Sequence, residues 1–125
     1  MKIYTVTSEE KTREFQDAET KQVIIPSKTV YTIQVNQEAI NFLQNNGGST
    51  VDRIKYLILH FWNVGSYPLN NMDLLGMIRN ADAERQELII SIFEMCTHIY
   101  RDECFKVLDE VAPLFKDEFK TKEEQ

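Results

Sequence analysis

Two histidines and two cysteines are the residues best suited to chemistry in this 125-residue chain. His98 follows Glu94 by one helical turn and precedes Asp102 by another. On one continuous helix such positions share a face, so Glu94, His98 and Asp102 could offer metal ligands or a general base, with His60 completing the set from a second helix. A small metal-binding protein or hydrolase-like enzyme is the corresponding alternative reading. Against it, ExxxH is not HExxH, and acid–His pairs at this spacing are common as solvated surface contacts. Cys96 and Cys104 fall among apolar residues, and neither belongs to a CxxC pair. A thiol in such surroundings without a cationic neighbour stays protonated, so both are read as small core hydrophobes rather than nucleophiles or a disulfide scaffold. Serine chemistry lacks a GxSxG elbow, and Gly47-Gly48-Ser49-Thr50 lacks the spacing and lysine of a phosphate loop. Ser49 as a helix N-cap explains that stretch more simply. No catalytic residue, cofactor or metal is therefore expected, and the favoured reading is not an enzyme.

The elements that must position these residues fall into two parts. Residues 1–35 carry the strand signals. Ile3 to Thr7 is rich in β-branched residues, and Thr29 to Val35 alternates, with Tyr31, Ile33 and Val35 on one face. Between them, Ser8 to Lys21 is highly charged with Phe15 its only large apolar residue, which predicts a loop or marginal helix. Val23-Ile24-Ile25-Pro26 reads as a short edge strand. From Asn36 the period becomes helical. Asn36 can cap a short helix ending at Asn45-Asn46-Gly47-Gly48. The spacing then predicts a helix over 49–63 with Val51, Ile54, Leu57, Ile58, Phe61 and Trp62 as its apolar stripe. A short helix containing Met72, Leu75 and Ile78 follows, capped by Asn70 or Asn71 and weakened by Gly76. Capped by Asn80 or Asp82, the next helix carries Leu88, Ile92, Met95 and Ile99 inward and is expected to be central, with Ser91, Glu94, Thr97 and His98 on its polar side. The pattern does not decide whether it continues through Arg101. Asp102 can cap a last helix facing Cys104, Val107, Leu108, Val111 and Phe115 inward, which Pro113 kinks or restarts.

The expected architecture is α+β and mostly α: a small N-terminal antiparallel β element packed on a four- or five-helix bundle. It forms one domain over 1–119, divided into a β element with a charged loop (1–35) and a helical part (36–119). Residues 120–125 hold no apolar side chain and are expected to be a disordered tail.

Charge narrows the partners. The net charge is −6, split as −1 over 1–48, −2 over 49–100 and −3 over 101–125. This balance repels polyanions, so neither nucleic acid nor an anionic membrane is favoured. Runs such as YLILHFW are too short to span a bilayer, and the N-terminal residues do not form a signal peptide, so a cytoplasmic location is expected. One surface invites a protein partner of unknown identity. Tyr56, Leu59, His60 and Asn63 lie opposite or at the edge of the main stripe, with Tyr67 close behind, and exposed aromatics grouped in this way mark interfaces. The alternative is that the N-terminal strands cover this side and make it core.

The stretch Asn46-Gly47-Gly48-Ser49 through Phe61-Trp62-Asn63, then Tyr67-Pro68-Leu69 and Met72-Asp73-Leu74-Leu75, followed by one long helix, resembles a small domain family of prokaryotic plasmids and other mobile elements. The resemblance covers about residues 46–100 and leaves out the N-terminal third. It implies a bacterial or phage setting, and it transfers no activity and no catalytic residue. The leading expectation is thus a non-catalytic protein-interaction or regulatory accessory protein. A helix-mediated homodimer acting as a transcriptional or regulatory factor is a further alternative.

Overall fold

A computed structural model of the chain describes residues 1–12, 15–16, 23–24, 27–69, 72–97 and 100–124. The fold is α+β and mostly α, with an antiparallel hairpin followed by five α-helices among the described residues. The hairpin is longer than the alternation predicts. Strand β1 (Tyr4–Thr12) pairs with β4 (Ser27–Val35), and the short strands β2 (Phe15–Gln16) and β3 (Val23–Ile24) pair with each other. The β1–β4 register runs from Tyr4↔Val35 to Thr12↔Ser27, and the β2–β3 pairs are Phe15↔Ile24 and Gln16↔Val23. Ser8 to Thr12 is therefore strand, which corrects the loop or marginal helix expected there. A helix in this segment would have needed an apolar stripe to bury, whereas the partner strand supplies its backbone bonds directly. Residues 13–14 and 17–21 of that expectation, with Ile25 and Pro26, lie outside the described residues.

Only the root of the ribbon rests on the helices. Ile3, Tyr4 and Ile33 are buried, Val35 is partly so, and Thr5, Thr7 and Gln34 on the opposite face are exposed. This is the alternation of a sheet with one face packed and one solvated. Beyond the Val6↔Ile33 pair, Ser8, Glu9 and Glu10 are exposed. At ~3.4 Å per residue, the nine β1–β4 pairs span roughly 27 Å.

Helix α1 (Gln37–Asn45) is capped by the Asn36 side chain, which accepts from the Glu38 amide, as the sequence predicts. The following helix, α2 (Ser49–Trp62), is entered through Gly48 at φ +109°, a conformation that favours glycine. Gly48 rather than Ser49 is the N-cap, and no side chain caps this helix, so the capping role expected of Ser49 is not realised. Helix α3 (Leu74–Asn80) starts at Asp73, whose carboxylate accepts from the Gly76 amide at 2.9 Å. Met72 lies outside the helix, Leu75 points into solvent and Met77 is the buried residue. Asn70 and Asn71, the expected caps, lie outside the described residues. Gly76 has a local reason: a Cβ there would collide with the Asp73 carboxylate that caps the helix.

Helix α4 (Ala83–Met95) begins at Asp82, which accepts from the Arg85 amide at 2.9 Å. It ends at Met95, so the chain does not continue as one helix through Arg101. It packs against α2 and α3, while α2 packs against both α4 and α5 (Arg101–Phe115). Ile90 and Phe93 on α4 are open to solvent. Ser91, assigned to the polar side, is buried because its hydroxyl serves the incoming chain: it accepts from the Ile3 amide at 2.9 Å and donates to the Leu88 carbonyl at 2.7 Å. In α5, Cys104, Val107, Leu108, Val111 and Phe115 face inward as expected. Asp102 lies in the first turn but is not the cap, a position taken by Tyr100. Pro113 stays within the last turn of the helix. Past α5, short 3-10 turns at Lys116–Glu118 and Lys122–Glu124 carry the chain back over α2. The expected tail is thus anchored up to Glu124, with the Lys122 amide donating to the Ser66 carbonyl at 2.7 Å.

Candidate functional site

The aromatic face of α2 is largely packed over. Leu59 is 0% exposed and Tyr67 only 5%. Tyr56 donates its hydroxyl to the Pro68 carbonyl at 2.7 Å. The His60 Nδ1–H donates to the Tyr67 carbonyl at 2.8 Å. Asn63 accepts from the Ser66 amide at 3.2 Å and turns the chain over the helix. Tyr56 meets Tyr67 and Phe119 edge-on, at 6.1 and 5.7 Å. Leu59 and Tyr67 are thus buried, Tyr56 and His60 partly exposed and Asn63 exposed, and what packs on this side is the loop after α2 and the C-terminal segment. The N-terminal strands pack elsewhere, on α4 and α5.

Lys55 explains how the cover is held. It is only 6% exposed, yet its ammonium reaches Glu118 at 3.1 Å and lies 5.2 Å from the centre of the Phe115 ring. A lysine can bury its stem and keep its charge when both a carboxylate and an aromatic face meet it. Burial, followed by the charges of Glu124 and Asp117, raises the Tyr67 hydroxyl above its ordinary pKa.

Of the acid–histidine set, Glu94 and Asp102 stand on different helices, α4 and α5, and His98 lies outside the described residues. Glu94 is engaged by the N-terminal segment: Tyr4 donates to Oε1 at 2.6 Å and Lys2 at 2.9 Å. The Tyr4 hydroxyl and then the Lys2 ammonium hold the Glu94 carboxyl below its usual pKa, while burial pushes the Tyr4 hydroxyl far above its own. His60 is turned toward Tyr67. Among the described residues, no three His, Cys, Asp or Glu side chains gather to hold a metal ion. No described helix is long and apolar enough to cross a membrane.

Solvent-facing apolar groups occur where the sequence does not single them out. Val6 is 42% and Tyr31 47% exposed, on the face of the ribbon whose lower residues are core. The Tyr31 ring stands edge-on to Tyr100 at 6.3 Å, and Tyr100 also meets Tyr4 at 5.5 Å. The ribbon has two strands, so among the described residues the outer edge of each is unpaired. A second opening lies on α4, where Ile90 and Phe93 are exposed and Phe93 meets Phe61 edge-on at 5.3 Å. The alternation that puts Tyr31 beside Ile33 and Val35 was visible in the sequence. What it lacked was the point where the supporting helices end. Comparison with family models, with curated proteins and with solved structures finds no match for this chain.

Proposed function

We propose that this chain is a non-catalytic protein-interaction or regulatory accessory protein that receives a polypeptide partner at the root of its ribbon. The observation that carries this reading is the conjunction of exposed Val6 and Tyr31 with unpaired strand edges. An extended segment can add to such an edge through backbone hydrogen bonds while its side chains meet the apolar pair. The resemblance of residues 46–100 to a mobile-element family supports an accessory role in a bacterium or phage. The test is affinity capture by the full chain, compared with the double variant Val6→Lys, Tyr31→Lys. Equal thermal midpoints and loss of the captured protein are expected. Retention of the same protein by the double variant would overturn the reading.

A second reading has its own support. Ile90 and Phe93 leave the outer side of α4 apolar, which suits a homodimer with a regulatory role. Light scattering on the chain and on Ile90→Lys decides it: a dimer that becomes a monomer supports self-association, and a monomeric wild type removes it.

A further inference from the structure

Of the eight asparagines in the chain, Asn46 alone is followed by glycine. The pair stands where α1 ends. Asn45 is the last helical residue, and Asn46 has left the helix for an extended backbone at φ −120° and ψ 150°. Asn46, Gly47 and Gly48 are all exposed. A Cβ placed on Gly47 would meet no atom within 4 Å, and it is Gly48, not Gly47, that takes a positive φ. The fold itself thus makes no demand for glycine at 47. The Asn46 side chain turns back along α1, where its Nδ2 donates to the Phe42 carbonyl at 2.8 Å. That carbonyl is one of those a helix end leaves without an amide partner.

We propose that Asn46 is a site of spontaneous deamidation, in which the Gly47 amide nitrogen attacks the side-chain carbonyl carbon of Asn46. The nitrogen gives up its proton to solvent and bonds to Cγ. The Cγ–Nδ2 bond breaks, and Nδ2 takes up a proton and leaves as ammonia, so that a five-membered succinimide remains. One water molecule then opens the ring on either side. Cleavage between Cγ and the ring nitrogen leaves aspartate at position 46. Cleavage at the backbone carbonyl leaves isoaspartate, with the main chain rerouted through Cγ. One water is consumed and one ammonia released, with no oxidation or reduction.

Two features of the site act on the rate in opposite directions. Gly47 puts no side chain in the way of ring closure and lets the backbone turn into it, and the reacting groups are adjacent in the chain. Against this, the Nδ2 bond to the Phe42 carbonyl restrains the amide that must leave. The product acts on the same place. A carboxylate has no N–H to give the Phe42 carbonyl, and it adds negative charge at the negative end of the α1 dipole. Phe42 lies with its ring 5.2 Å from the Arg85 guanidinium, and Leu43 beside it is fully buried, so loosening the last turn of α1 disturbs its seat on the core. Asn46 is in this sense a one-way clock on α1, whether or not the ribbon receives a partner.

The test incubates the full chain in warm, mildly alkaline buffer, followed by intact mass and by peptide mapping with electron-transfer fragmentation, which separates aspartate from isoaspartate. A gain of one mass unit confined to position 46, isoaspartate as the larger product and a lower thermal midpoint of the converted chain are expected. In urea, where the bond to Phe42 is lost, conversion should be severalfold faster. Gly47→Ala, which the open space at that position accommodates, should slow it severalfold in a chain still folded by circular dichroism. Asn46→Gln keeps an amide but requires a larger ring, and should remain unconverted. The proposal is overturned by any of four results: no conversion at position 46 of the folded chain while the denatured chain converts, an undiminished rate in Gly47→Ala, aspartate without isoaspartate, or faster conversion at another asparagine of the folded chain.

Discussion

Two tyrosine clusters sit on opposite terms with solvent. On α2, Tyr56 meets Tyr67 and Pro68 of the loop that follows the helix and Phe119 of the segment that follows α5, and Tyr67 is itself buried there. At the root of the ribbon, Tyr31 leans on Tyr100 with one edge and leaves nearly half its surface in water. Both clusters belong to elements with an apolar face. The difference lies in whether a later part of the chain returns to cover them. Phe119 returns to Tyr56 on α2 and the Lys122 amide to Ser66 in the loop after it, whereas Val6 and Tyr31 on the ribbon stay open to solvent.

The sharpest way to break this contrast is to truncate a residue on each side of it. Leu59→Ala removes a fully buried side chain from the enclosed face and should cost about 2–5 kcal/mol in urea unfolding, as cavity-forming changes do. A loss of a few tenths would mean that the face is open. Tyr56→Phe deletes only the hydroxyl that donates to the Pro68 carbonyl and should cost about 1 kcal/mol by the same measurement. Tyr31→Ala should cost less than about 1 kcal/mol, the scale of one edge-on aromatic contact at a half-exposed site.

The smallest effect is one of pH. Glu94 is held below its ordinary carboxyl pKa by Tyr4 and Lys2, so it binds fewer protons folded than unfolded. Its contribution is present above the ordinary value of 4.5 and is lost as pH falls through the lower folded value. Glu94 is substantially exposed, which keeps the contribution small. Glu94→Gln should flatten that part of the urea midpoint–pH curve, and an unchanged curve would show that the contact with Tyr4 and Lys2 contributes nothing.

Local signals were legible where they acted locally. The inward set of α5, the stripe of α2 and the caps at Asn36 and Asp82 follow from period and side-chain chemistry, because each depends on residues within a turn or two. Readings that depended on distant chain went astray. Ser91 looked polar and exposed until Ile3 was placed beside it. Leu59 stood at the edge of the α2 stripe in the sequence and is fully buried in the fold. The candidate site shows the same division: Tyr56, His60 and Tyr67 do meet, yet they meet beneath a cover that no helical wheel displays.

Tyrosine-selective surface labelling of the native chain, read residue by residue by mass spectrometry, tests the contrast most directly. Tyr31 should react well before Tyr67, and the order should vanish on denaturation. Early labelling of Tyr67 with Tyr31 protected would contradict both the closed face of α2 and the open root of the ribbon.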